Sequence, residues 1–310
     1  MKLSIVATLY QSASYIEEFC QRASNVAHQL ADDDYEIILV NDGSPDNSLA
    51  LAINLSKSDP HVIIVDLSRN FGHHKAMMTG LAHTSGEYIF LIDIDLEEEP
   101  EWLLSFAEQM AQTHCDVVYG VQEHRKGSIF ERWSGQWFYR FFRILTGIVL
   151  PKNVVTARLM SCRYVDALLR HKETEFFIAG LWHITGFYQS SQVIKKHNAS
   201  KTTYTFRRKM SLLVNAVSSF SNAPLIGIFY IGASIFIIAC IYIAYLFITW
   251  LFLAKPISGW TSIIASIWFL GGLIISFIGV IGIYLSKIFS ETKRRPYTIV
   301  RQIYGKRVIT

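Results

Sequence analysis

A chain of 310 residues that is 51% hydrophobic is too apolar for an ordinary soluble enzyme, yet 17% charged residues is too many for a channel made only of membrane helices. The formal net charge of +4 is modest and its basic residues gather beside two apolar segments, which favours an anionic membrane surface over nucleic acid as partner. Cys20, Cys115, Cys162 and Cys240 have neither paired spacing nor nearby His in a zinc pattern, so neither a disulfide framework nor a structural metal site is expected.

Met1 and Lys2 lead into a short apolar stretch over 3–8 with no cleavage site, which reads as a first strand rather than a signal peptide. Helical spacing follows over 15–30, and a β-branched apolar run over 35–40 predicts a second strand. A helix over 48–57, a strand over 62–67, a helix over 75–83 and a strand over 88–92 continue the alternation. Repeated β-α units imply an α/β domain with a mostly parallel, Rossmann-like sheet covered by helices on both faces. Ligands then belong at the carboxyl ends of the strands. Three polar clusters fall there: Asn41-Asp42-Gly43-Ser44, Arg69-Asn70-Phe71-Gly72-His73 and Asp93-Ile94-Asp95.

Further on, 225–253 and 262–285 contain no Asp, Glu, Lys or Arg, and each exceeds the roughly 20 residues that cross a bilayer. Only 254–261 separates them, with Pro256 and Gly259, so a two-helix transmembrane hairpin is expected. Arg207, Arg208 and Lys209 precede the pair and Lys287, Lys293, Arg294 and Arg295 follow it, which puts both termini in the cytoplasm of an integral, multi-pass protein of the plasma (inner) membrane. Between 128 and 147, Phe130, Trp133, Trp137, Phe138, Phe141 and Phe142 interleave with Arg132, Arg140 and Arg143, the pattern of an amphipathic helix in the membrane interface. A second such helix is expected at 211–223. The expected division is a catalytic domain over 1–210, that juxtamembrane helix, the hairpin over 224–289 and a basic tail over 290–310.

The motifs V-N-D-G-S-x-D, S-R-N-F-G-H and D-x-D-L, at these intervals, resemble family 2 glycosyltransferases of the GT-A fold. The likeness is closer to the polyprenyl-phosphate branch, which includes dolichol-phosphate mannose synthases and bactoprenol glucosyltransferases. It extends to Pro100, the strand at Tyr119-Gly120-Val121, Arg158-Leu159-Met160 and the hairpin ending in Lys-Arg-Arg-Pro. The resemblance implies a nucleotide-sugar donor, UDP-linked by expectation, a polyprenyl phosphate acceptor and Mg²⁺ or Mn²⁺. It assigns Asp95 to the metal, Asp93 to the ribose or base edge, and Asp42 to the nucleoside, with Thr8 and Tyr10 completing that wall. Glu97, where the family usually has Gln, becomes a second metal ligand. Glu98, Glu99 and Glu101 read as a solvated acidic helix start.

Relatives commonly carry G-D-F-R-L-M where this chain has Val155-Thr156-Ala157-Arg158-Leu159-Met160, so Thr156 stands at the acidic position. An acceptor hydroxyl would need a base there, whereas a phosphate monoester is already an anion and needs cations to position it. Arg125, Arg158, Arg207 and Lys209 are the candidates, Arg158 with Asp93 and Asp95 forming the expected catalytic set. His73 and His74 are expected to be structural, with a loop anchor or a donor-phosphate contact as the functional alternative. The expected reaction is an inverting transfer of sugar to the lipid phosphate. Its rivals are transfer to a hydroxyl of a glycolipid or polysaccharide, and a non-catalytic membrane scaffold; a homo-oligomer stays open.

Overall fold

The computed structural model describes residues 2–122, 153–173, 176–195, 221–253 and 259–305, with residues 140, 143–147, 151, 214, 217, 218 and 220. The first strands and helices fall where the apolar pattern puts them: β1 Leu3–Leu9, α1 Ile16–Ala31, β2 Tyr35–Asn41, α2 Ser48–Ser58, β3 Val62–Leu67, α3 His73–Leu81 and β4 Tyr88–Leu91. Then come α4 Trp102–Thr113, β5 Val117–Gln122, β6 Val154–Ser161, α5 Cys162–Leu169, α6 Ile178–Ile184 and β7 Gln189–Ile194. Two long helices, α7 Ala223–Leu253 and α8 Trp260–Thr292, precede a last strand, β8 Val300–Tyr304.

All eight strands form one sheet in the order β7-β5-β6-β4-β1-β2-β3-β8. Its centre is parallel, β4, β1, β2 and β3 running alike, while β6 enters antiparallel between β4 and β5. Every residue of β1 is buried, because this central strand is covered on both faces and so reads as an unbroken apolar run. On one face α3 lies close over β1 and β2: a Cβ on Gly80 would sit 2.5 Å from Val6 Cγ1 and 2.9 Å from Val40 Cγ2. Elsewhere in the core Phe106 of α4 meets Phe90 of β4 edge to face, with ring centroids 6.0 Å apart.

The chain divides into two compact units. One comprises Met1–Gln136, Val149–Tyr204 and Arg295–Thr310, the other Trp137–Ile148 and Thr205–Arg294. The expected basic tail at 290–310 is therefore corrected: its Val300–Tyr304 stretch is an edge strand pairing antiparallel with β3. In the second unit, Phe269–Thr292 of α8 is long and apolar enough to cross a membrane, with mean hydropathy 2.2 over its best window. It is the only such stretch among the described residues, where α7 contributes a shorter apolar run, Ala223–Ile235. The interfacial helix expected over 128–147 and the one expected over 211–223 lie largely outside the described residues.

Candidate active site

The carboxyl ends of β1, β2 and β4 and the first turn of α3 bring the three polar clusters together. Gly72, at φ 101 where a side chain is rarely tolerated, turns the chain into α3. His73 then opens the helix, with Nδ1 2.9 Å from Thr8 Oγ1 and Nε2 3.2 Å from Asp93 Oδ1. Burial opposes protonation of His73, but the hydrogen bond and charge of Asp93, with Asp42 and Glu98, outweigh it and raise the imidazole above its ordinary range. His74 goes the opposite way: burial first, then the neighbouring His73 charge, pushes it down to about 4. His73 thereby ties the start of α3 to the ends of β1 and β4 at the centre of the cluster.

Asp42 is buried, and its carboxylate accepts the backbone N–H groups of Phe71 at 2.7 Å and Gly72 at 3.0 Å. Burial raises its pKa, while these two bonds and the nearby His73 and Arg69 charges pull it down. Its visible work is tying the 69–72 turn to the end of β2. Gly43 completes that junction at φ 60, where an added Cβ would lie 2.4 Å from Asn70 N. Below it, Asn41 Nδ2 donates to Asp66 Oδ1 of β3 at 2.8 Å. The other oxygen of this buried carboxylate makes no hydrogen bond among the described residues and faces Arg301 Nη1 of β8 at 3.4 Å. Arg301 Nη2 also donates to Ser68 O at 2.6 Å.

Asp93 is held from β6 as well. Thr156 Oγ1 donates to Asp93 Oδ2 at 2.9 Å, and Thr156 N–H donates to Glu98 Oε1 at 3.0 Å. Glu98, only 1% exposed, also accepts Asp93 N–H at 3.4 Å. The solvated acidic helix start is thus corrected for Glu98, which bridges β6 and the end of β4. Glu101 instead forms a two-pronged pair with Arg22 of α1, at 2.8 and 2.6 Å.

Arg158 is corrected too. Expected at the surface for a lipid phosphate, it is 2% exposed, its guanidinium carbon lies 2.9 Å from the centre of the Trp182 ring, and it donates to Thr156 O at 3.1 Å and Val155 O at 3.3 Å. Burial pushes its pKa down to about 9, which leaves it charged at neutral pH. Arg125, Arg207 and Lys209 lie outside the described residues.

Asp95 is exposed beside this cluster and accepts Glu97 N–H at 3.0 Å. The intervening Leu96 adopts φ 59, an uncommon conformation for a branched side chain, and so folds the acidic segment back on itself. Among the described residues no three His, Cys, Asp or Glu converge as a metal cage. Asp95 and Glu97 nevertheless supply hard oxygen donors at a strand end, the sparse set that suits Mg²⁺ or Mn²⁺ shared with substrate phosphates and water. Tyr10, 49% exposed just past β1, leaves an aromatic face open next to Thr8.

The sequence model of the family described as glycosyl transferase family 2 matches residues 4–169. A Mycobacterium tuberculosis (strain CDC 1551 / Oshkosh) protein described as a glycosyltransferase is 51% identical over the whole chain and 90% of its own length. The prophage bactoprenol glucosyl transferase homolog of Escherichia coli (strain K12) is 29% identical over 98% of this chain and 99% of its own. Among solved structures, glucosyl-3-phosphoglycerate synthase from Mycobacterium tuberculosis, in complex with phosphoglyceric acid, is similar in fold with a TM-score of 0.50 at 16% identity, over 71% of this chain and 80% of that one.

Proposed function

The chain belongs to glycosyl transferase family 2, and on that premise we propose that it transfers a sugar from a nucleotide-sugar to a polyprenyl phosphate at the cytoplasmic face of a membrane. The observation that carries this reading is the convergence of Thr8, His73, Asp93 and Thr156 from four elements at the carboxyl edge of the sheet, with Asp95 and Glu97 beside them. The nucleoside of the donor, UDP-linked in this reading, lies along Thr8, Tyr10 and Asp93, over the turn that Asp42 secures. Asp95 and Glu97 hold Mg²⁺ or Mn²⁺, which supplies positive charge against the departing diphosphate. One oxygen of the acceptor phosphate attacks the anomeric carbon in line with that departure. This nucleophile is already ionised, so a neutral Thr156 at the site is compatible with transfer, whereas a hydroxyl acceptor would need a base. Arg125, Arg207 and Lys209 are assigned to the acceptor phosphate. The near full-length similarity to a bactoprenol glucosyl transferase homolog supports a polyprenyl acceptor.

Topology supports the hairpin. β8 follows α8 in the chain yet pairs with β3, which precedes α7, an order that fits a pair of crossings between them. In this reading α7 and α8 form the two arms of the hairpin. Lys287, Lys293, Arg294 and Arg295 at the end of α8 assign the open end of the hairpin to the cytoplasm. The test is incubation of membranes containing the protein with radiolabelled nucleotide-sugars, polyprenyl phosphate and Mg²⁺ or Mn²⁺, followed by lipid extraction. Label is expected in the lipid fraction; its absence with every donor would reject the proposal.

A further inference from the structure

Thr156 is gripped by two buried charges of opposite sign. Glu98 takes its N–H at 3.0 Å and Arg158 donates to its carbonyl at 3.1 Å, and both charged side chains are almost wholly enclosed. Buried charges are costly unless hydrogen-bonded, so a pair spent on the backbone of one residue, one on each side of its Cα, fixes that residue firmly. What it fixes is a hydroxyl, which donates to Asp93 Oδ2 at 2.9 Å, while Glu98 holds the Asp93 backbone from below.

We propose that Thr156 is a positioning residue for donor binding, its hydroxyl locking the Asp93 carboxylate in the orientation that meets the nucleotide-sugar. The inference rests on the donor-site reading above and adds the device that makes Asp93 competent. A terminal carboxylate torsion is broad and intrinsically unselective; with His73 Nε2 3.2 Å from Asp93 Oδ1, the Thr156 hydroxyl fixes the other oxygen. Thr156 supplies it without adding charge. An aspartate at 156 would set a second carboxylate within hydrogen-bond reach of Asp93, and the two would have to share a proton or repel. Arg158 then serves as a support for Thr156, in keeping with its enclosure against Trp182.

The test uses the full chain in detergent with Mg²⁺, titrated calorimetrically with UDP, GDP, CDP and dTDP in turn. The best-bound nucleotide is expected to lose about tenfold to a hundredfold in affinity in Thr156→Val, the loss from removing one hydrogen bond to a charged group. Thr156→Ser, which keeps the hydroxyl, should recover most of it. In transfer assays the KM for nucleotide-sugar should rise while that for polyprenyl phosphate stays, a split that a merely structural role would not produce. Wild type binding none of the four nucleotides would overturn the donor-site reading and this inference with it. Wild type binding one of them, with folded Thr156→Val binding it equally well, would overturn this inference alone.

Discussion

Replacing Arg301 with Ala should destabilise the sheet through Asp66. The Asp66 carboxylate is buried, with one oxygen bonded to Asn41 and the other 3.4 Å from Arg301 Nη1. Exposed ion pairs contribute about 0–1 kcal/mol, whereas leaving one member of a buried pair uncompensated costs about 3–5 kcal/mol. Here one partner is enclosed and the other 57% exposed, which puts the cost between those limits, near ~2 kcal/mol. The Ser68 carbonyl released at the same time regains water and adds little. For a unit of this size, ~2 kcal/mol lowers the melting midpoint by about 4–8 °C. Thermal unfolding of the purified protein measures this, with Asp66→Asn and the double variant closing a cycle. Once the carboxylate is neutral, loss of Arg301 should matter much less, giving a coupling of about 1–2 kcal/mol. Single effects that add to within about 0.5 kcal/mol would refute the pairing.

Asp95→Asn should abolish transfer while leaving the melting midpoint unchanged, since it weakens a metal contact without altering volume; full turnover by the variant, or by wild type in chelator-stripped buffer, would contradict this. Gly43→Ala should destabilise strongly, because the residue sits at φ 60 with its Cβ position 2.4 Å from Asn70 N, and soluble yield and unfolding midpoint report it. The folded His73 pKa lies above its ordinary 6.5, so its pairing with Asp93 contributes fully below that value and is lost as pH rises through the folded pKa. Melting midpoints recorded upward from pH ~6.5 should therefore fall more in wild type than in His73→Gln.

The parallel centre of the sheet was legible because its signals are local. The strand at Val62–Leu67 is a β-branched apolar run interrupted only by Asp66 and bounded by polar residues, and the structure gives it the expected limits. What escaped was non-local. Glu97, Glu98 and Glu99 carry the same local signal, and only the arrival of β6 encloses Glu98. Arg158 reads as a free cation until α6 brings Trp182 over it. His73 and His74 are adjacent, but the start of α3 turns only the first toward both Thr8 and Asp93. Leu96 at φ 59 had no signal, since branched residues seldom adopt that backbone. Val300–Tyr304 is short, carries Arg301 and Gln302 in its centre, and follows a basic stretch, so nothing local marks it as a strand.

That last strand also sets an order of events. Synthesis runs from the amino terminus, so β1, β2 and β3 leave the ribosome long before β8, and the two apolar helices are made in between. Until β8 emerges, β3 is an open edge and Asp66 lacks Arg301 beneath the Asn41-Asp42 turn. The sheet behind the Asp93 cluster is therefore closed last, after both apolar helices have been made. A chain truncated after α8 would contain every residue of the Asp93 cluster and still lack the strand that closes the sheet behind it.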